Sequence, residues 1–273
     1  MSMLGKEVRM SRLINPESGR MLAITVDHSI SRGIMKGLMP IQDTIDKIVA
    51  GGPNAMTMTK GIADLCLRKH AGKVSLLMKC SSFSPYQPAY DTWFSDVEEG
   101  LTMGADGVSM GAILGGKDQP EQLRNIGLMS KQCQRYGMPL IAHMYPRGEY
   151  IDKKDQKNWE NIAYCVRAGA ELGVDIIKTS YTGDPDTMVK VVESCPARVV
   201  IAGGDVGNDV ESYLKMTRDA MDIGCAGVTY GRFVWEYENT TELIKALKFI
   251  IHENGSPKEA LELLRELEAQ KAK

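Results

Sequence analysis

Lys178 is the residue whose setting most directly suggests chemistry. It ends the run Val174-Asp-Ile-Ile-Lys178, and a lysine inside a packed strand loses hydration and is pushed toward its neutral, nucleophilic form. A neutral amine adds to carbonyls and forms a Schiff base. The alternative is a lysine ion-paired to Asp27 with no chemistry. Lys60 and Lys79 occupy comparable points of the sequence, so position alone does not single out Lys178.

Four other polar clusters follow short apolar runs: Asp27-His28, His143-Met-Tyr145-Pro-Arg147, Gly203-Gly204-Asp205 and Tyr230-Gly231-Arg232. Asp27 needs a partner if it faces a packed interior; Lys178 would serve, giving a base beside the nucleophile, and a loop cap is the alternative. Tyr145 lies two residues beyond His143, on the same side of a strand, and can move a proton at a reacting carbon or simply hydrogen-bond in the core. His28, His143 and Arg147 are candidates for substrate contact, the histidines also for acid–base work. The carboxylates of a metal cage are missing at matching spacing, so no catalytic metal is expected. Gly203-Gly204 and Gly231-Arg232 suit a phosphate, since glycine admits oxygens to backbone N–H groups and arginine adds a bidentate charge. Asp205 departs from that chemistry.

These clusters need a scaffold that brings strand ends together. Helix-like stretches end at a glycine, and an apolar run begins shortly afterwards, at Gly52, Gly104, Gly137, Gly173 and Gly224. Glycine there stops a helix, and four or five apolar residues suit a strand buried on both faces. Eight strands are expected: Met21–Asp27, Ala55–Thr59, Val74–Lys79, Gly107–Met110, Leu140–Met144, Ile176–Thr179, Val199–Ala202 and Gly227–Tyr230. Amphipathic stretches alternate with them, including Glu121–Tyr136, Asn158–Leu172 and Asp209–Ile223. The pattern predicts a (β/α)8 TIM barrel over residues 1–273, one domain, with an extra C-terminal helix at Pro257–Lys271. An open doubly wound sheet is disfavoured because Asp27-His-Ser stands where its glycine fingerprint belongs. Ser81–Tyr90, with two prolines and no regular period, reads as a long loop over the active face.

Composition narrows the partners. In 273 residues, 33 basic side chains face 35 acidic ones, a net charge of −2. Such a balance gathers neither nucleic acid nor an anionic membrane, so an anion must be held locally. No apolar run long enough to span a bilayer occurs, and a cytoplasmic protein is expected. The six cysteines lack any Cys-x-x-Cys spacing and read as buried thiols.

Asp27-His28, Met144-Tyr-Pro-Arg-Gly148, Ile176-Ile-Lys-Thr-Ser-Tyr-Thr-Gly-Asp184, Ala202-Gly-Gly204 and Gly231-Arg232 together resemble the archaeal-type class I fructose-bisphosphate aldolases and their relatives. Those relatives include 2-amino-3,7-dideoxy-threo-hept-6-ulosonate synthase. The resemblance runs in order along nearly the whole chain and implies a metal-independent Schiff-base aldolase without cofactor. It makes Lys178 the Schiff-base lysine, Tyr145 the proton-transfer residue and Asp27 the carboxylate assisting carbinolamine and iminium formation. Gly204, Gly231 and Arg232 would hold a substrate phosphate. It further implies a ring-shaped homo-oligomer, a pentamer or a decamer of two pentamers. Fructose 1,6-bisphosphate is the default substrate, with a synthase or transaldolase variant and a non-catalytic sugar-phosphate binder as alternatives. Asp27-His-Ser-Ile-Ser-Arg-Gly-Ile-Met-Lys-Gly37 and His143, where the bisphosphate aldolases carry tryptophan, lean toward the heptulosonate synthases.

Overall fold

The computed structural model describes residues 4–203 and 209–271. Its strands are β1 (Met21–Thr25), β2 (Ala55–Thr59), β3 (Ser75–Lys79), β4 (Ser81–Ser84), β5 (Gln87–Trp93), β6 (Gly107–Leu114), β7 (Leu140–Pro146), β8 (Ile176–Ser180), β9 (Arg198–Ala202) and β10 (Gly227–Tyr230). All but β4 and β5 close a parallel barrel in the order β1-β10-β9-β8-β7-β6-β3-β2, which is the expected (β/α)8 architecture. Helices fill the connections, the longest being Gln119–Tyr136. The helices before β2 and β7 stop where Gly52 and Gly137 turn left-handed at φ 70° and 59°, so the apolar run can begin at once.

Side-chain alternation divides the apolar residues into two clusters. One direction faces the helices: Leu22, Met56, Met78, Ala142, Met144, Ile177 and Ile201 belong to the large shell between strands and helices. The other faces the barrel axis, where Met21, Ala23, Ala55, Leu77, Ile141, Ile176 and Val200 form a small separate core. Leu13 completes this inner core from below, carried by the helix Leu4–Leu13, which the sequence pattern does not reveal. Toward the strand C-termini the inward positions turn polar, to Thr25, Lys79, His143, Lys178 and Thr229.

The segment after β3 corrects an expectation. It is not an irregular loop but an antiparallel hairpin, with Ser81 opposite Trp93, Ser82 opposite Thr92 and Ser84 opposite Gln87. Pro85 and Tyr86 make its turn, and Tyr90, Thr92 and Trp93 have the aromatic and β-branched chemistry a pleated surface favours. Strands β6 and β7 also run further than expected, to Leu114 and Pro146. Pro257–Lys271 is the extra helix, and it packs on the helices Val210–Asp222 and Thr240–Glu253 through buried Ala260 and Leu264. Five cysteines are buried and Cys66 is partly so; all six are free. No described helix is long and apolar enough to cross a membrane.

Candidate active site

Register brings the chemistry together. Lys178 on β8 is the partner of His143 on β7, and His143 in turn is the partner of Gly111 on β6. Because Ile141 and Ile176 point into the barrel, His143, Tyr145 and Lys178 follow on the same inward face by the two-residue period. They surface in a cleft at the C-terminal ends of the strands. Its larger lobe, about 240 Å³, is lined by Arg32, Tyr145, Lys157, Lys178, Gly203, Gly231 and Arg232 among others. Its smaller lobe, about 100 Å³, is lined by Asp27, Lys79, Asp91, His143, Tyr145 and Lys178, with the hairpin's Ser82 and Phe83. His28, Arg32, Tyr145, Arg147 and Lys178 belong to both.

Lys178 is 7% exposed. Burial pushes its amine down to about 8; Asp27 opposes this shift and Lys79 adds to it. Asp27 is near enough to bias the amine but forms no ion pair with it within 4.0 Å among the described residues, so the direct pairing suggested by sequence does not occur. Its recorded neighbour is His28, with Nδ1 to Oδ1 at 3.6 Å, too long for a hydrogen bond. Burial outweighs the attraction of Asp27 and lowers His28 to about 4, so this imidazole is neutral at neutral pH. His143 is held well below its ordinary value by burial and by the charges of Lys79 and Lys178. Lys79 Nζ lies 3.4 Å from its Nδ1, and since an ammonium only donates, Nδ1 is the acceptor. Burial raises the Tyr145 phenol, which stays protonated at neutral pH, and Arg147 lies over its ring at 5.0 Å.

Both lobes carry cations, and they differ in their carboxylates, Asp27 and Asp91 lining only the smaller one. Arg32, Arg147, Lys157, Lys178 and Arg232 line the larger one, with no carboxylate among its described lining residues. Gly203 and Gly231 contribute room for side chains: a Cβ on Gly203 would overlap the Tyr213 hydroxyl, and one on Gly231 would stand 2.6 Å from the His28 ring. The helix after Gly231 is only Arg232–Glu236, so the arginine supplies more of the local field than the helix dipole does. Gly204 and Asp205 lie outside the described residues. Among the described residues, four of the eight buried side-chain polar atoms without a hydrogen-bond partner line this cleft: His28 Nδ1, Asp91 Oδ1, Tyr181 Oη and Thr229 Oγ1. Such atoms are rare in a folded core, and in an open cleft a ligand or water can supply the partner. No group of three or more His, Cys, Asp or Glu able to hold a metal occurs among the described residues.

Sequence reasoning missed Asp91, Arg32 and Lys157, placed Tyr181 at a strand end without giving it a role, and treated Lys79 only as a rival to Lys178. A larger cavity, about 800 Å³, opens at the opposite end of the barrel around Asn54, Ser75 and Asp106. Its Asp106 is already paired with Arg12 at 2.9 Å, and it gathers no reactive amine or imidazole close to a strand C-terminus. Chemistry in these barrels is built at the strand C-termini, which favours the smaller cleft around Lys178.

A parallel barrel with a buried amine at that face is the architecture of the class I aldolases, and the chain is one of them. It belongs to the DeoC/LacD family of aldolases, whose model matches residues 21–237. It is 33% identical over 262 residues to the 2-amino-3,7-dideoxy-D-threo-hept-6-ulosonate synthase of Halobacterium salinarum, covering 94% of this chain and 95% of that one. It is 35% identical to 2-amino-3,7-dideoxy-D-threo-hept-6-ulosonate synthase 1 of Archaeoglobus fulgidus over 95% of this chain and 96% of that protein. A solved archaeal fructose 1,6-bisphosphate aldolase shares the fold with a TM-score of 0.81 at 23% identity, over 91% of this chain and 99% of that one.

Proposed function

We propose that this aldolase takes a three-carbon ketone unit from a phosphorylated ketose, carries it as an enamine on Lys178, and joins it to an α-amino aldehyde. The observation that carries the reading is the position of the Lys178 amine between two lobes of unlike chemistry, one lined by cations with no described carboxylate and one of mixed charge that adds Asp27 and Asp91. The relatives support the substrate class. A 2-amino-hept-6-ulosonate has its ketone at carbon six, so an aldol bond joins carbons four and five. That bond divides the product into a three-carbon ketone and 2-amino-4-oxobutanoate.

In this mechanism the neutral Lys178 amine adds to the ketone, and Asp27 exchanges the protons as the carbinolamine loses water. The iminium draws the electron pair of the neighbouring carbon–carbon bond, leaving the enamine, while the precursor hydroxyl of the departing aldehyde passes its proton to the Tyr145 phenol, which relays its own to the Asp27 carboxylate. The enamine pair then attacks the incoming aldehyde, and Tyr145 donates its proton to the new alkoxide while recovering one from Asp27. Water hydrolyses the iminium and frees Lys178. Arg232, with Arg147 and Gly203 and Gly231, holds the donor phosphate in the cationic lobe.

Fructose 1,6-bisphosphate cleavage is the second reading, favoured by the cations of the larger lobe. Incubation with fructose 1,6-bisphosphate, dihydroxyacetone phosphate or hydroxyacetone, each with and without 2-amino-4-oxobutanoate, separates the two. The first reading expects a seven-carbon amino product by mass spectrometry. Cleavage of the bisphosphate with no incorporation of the amino aldehyde would replace it by the second. Borohydride reduction should mark Lys178, and a label on Lys60 or Lys79 with Lys178 intact would overturn the assignment of the lysine.

A further inference from the structure

The hairpin delivers a carboxylate into the barrel. Asp91 on β5 is 4% exposed, and its Oδ1 has no hydrogen-bond partner among the described residues. Its side chain fills the place that a side chain on Gly111 would take: a Cβ there would overlap the carboxylate. Gly111 is the register partner of His143, and His143 of Lys178, so the carboxylate enters two strands from the amine, roughly 10 Å at ordinary strand spacing.

The hairpin is held firmly in this position. The buried Gln122 accepts from the Asp91 backbone N–H at 3.3 Å and from Ile113 N–H at 2.9 Å, and it donates to the carbonyls of Ala89 and Ile113, both at 3.0 Å. Ser81 Oγ accepts from Gly111 N–H at 2.8 Å. A side-chain amide and a hydroxyl thus bind the hairpin to β6, and the fold fixes Asp91 while leaving its Oδ1 without a hydrogen-bond partner among the described residues.

Lys79, also 4% exposed, lines the same lobe, and its recorded contact is His143. No ion pair within 4.0 Å joins it to Asp91 among the described residues. Two buried charges of opposite sign therefore face one small cavity without neutralising each other directly. Unpaired buried charges are costly, and a ligand bearing the complementary pair removes that cost at both. Arg32, Arg147 and Lys178 also line this lobe, so Asp27 and Asp91 make it a site of mixed charge, suited to a ligand that carries both signs.

We propose that the smaller lobe is the acceptor subsite, in which Asp91 takes the ammonium and Lys79 the carboxylate of an α-amino aldehyde. The assignment rests on the amino-aldehyde reading above and adds the residues that select the acceptor. Asp91 is a specificity residue, and the reacting atoms lie with Lys178 and Tyr145.

The test compares kcat/KM for 2-amino-4-oxobutanoate with that for 4-oxobutanoate, which lacks the ammonium, and 3-aminopropanal, which lacks the carboxylate. Wild type should prefer the complete amino aldehyde over 4-oxobutanoate by about 10- to 100-fold, the range of one charged hydrogen bond. Asp91→Asn should bring that preference close to one by losing the amino aldehyde, with a far smaller change on 4-oxobutanoate. Gly111→Ala, which displaces the carboxylate, should give the same signature. Lys79→Met should instead erase the preference over 3-aminopropanal. Borohydride trapping of hydroxyacetone on Lys178 reports that each variant is folded. Equal losses on all three acceptors would assign Asp91 a structural role and overturn the subsite. A preference that survives in Asp91→Asn would overturn it while leaving the amino-aldehyde reading intact. If Lys178 traps the ketone but wild type joins it to no amino aldehyde, the reading fails and the subsite with it.

Discussion

Raising the pH should accelerate Schiff-base formation on Lys178 and then stop doing so. With its amine brought down to about 8 by burial, about 9% of the protein carries neutral Lys178 at pH 7 and about 91% at pH 9, a rise of roughly tenfold with a plateau beyond. A lysine at the ordinary 10.5 would rise roughly a hundredfold over the same interval and still be climbing at pH 9. The assay is the initial rate of cyanoborohydride trapping on Lys178, followed by peptide mass spectrometry. Hydroxyacetone is the probe because it carries no phosphate to titrate in the same range. Two variants give the sign. Asp27→Asn removes the neighbour that favours the charged amine and should move the inflection to lower pH, whereas Lys79→Met removes a like charge and should move it higher. A rate that climbs tenfold per pH unit through pH 9, or two variants that shift the inflection in the same direction, would refute the account of how this amine is activated.

The same burial has a cost in stability. The folded state holds Lys178 at about 8 against 10.5 when unfolded, so below pH 8 the group costs about 3 kcal/mol, and that cost is recovered as pH rises from about 8 to above 10.5. Lys178→Met should therefore raise the Tm at pH 7 and gain less at pH 10, even after the attraction of Asp27 is lost; a lower Tm at pH 7 in thermal denaturation would contradict this. Tyr145→Phe should still form the Lys178 adduct but lose turnover by about 10²- to 10⁴-fold, and near-normal turnover would move the proton transfer to another group. Arg232→Ala should weaken kcat/KM for a phosphorylated ketose by roughly 10- to 100-fold and barely alter hydroxyacetone, and equal losses on the two would remove phosphate from the larger lobe.

How much of this could be read along the chain follows from how local each cause is. The barrel strands are legible because a glycine stop and an apolar run lie within a few residues of each other, as at Gly137 and Leu140–Pro146. Lys178 and Tyr145 are legible for a related reason: once the strand is placed, the two-residue period tells which side chains share its inward face. The hairpin is harder to see, since prolines and serines in Ser81–Trp93 mask a pairing whose support comes from Gln122 and Ser81 contacts with β6. Asp91 is harder still. Its carboxylate stands in the barrel because Gly111, on another strand, has no side chain, and no pattern within either segment carries that information. Gly231 shows the same logic from the other side. A glycine that sequence reads as an approach for phosphate leaves room in the fold for the ring of His28 and the hydroxyl of Thr25, so the glycine shapes the cleft through the side chains it admits. At both positions a missing side chain on the inward face of the barrel lets a neighbouring element bring a polar group to the lysine, a coupling that exists only after the barrel has closed.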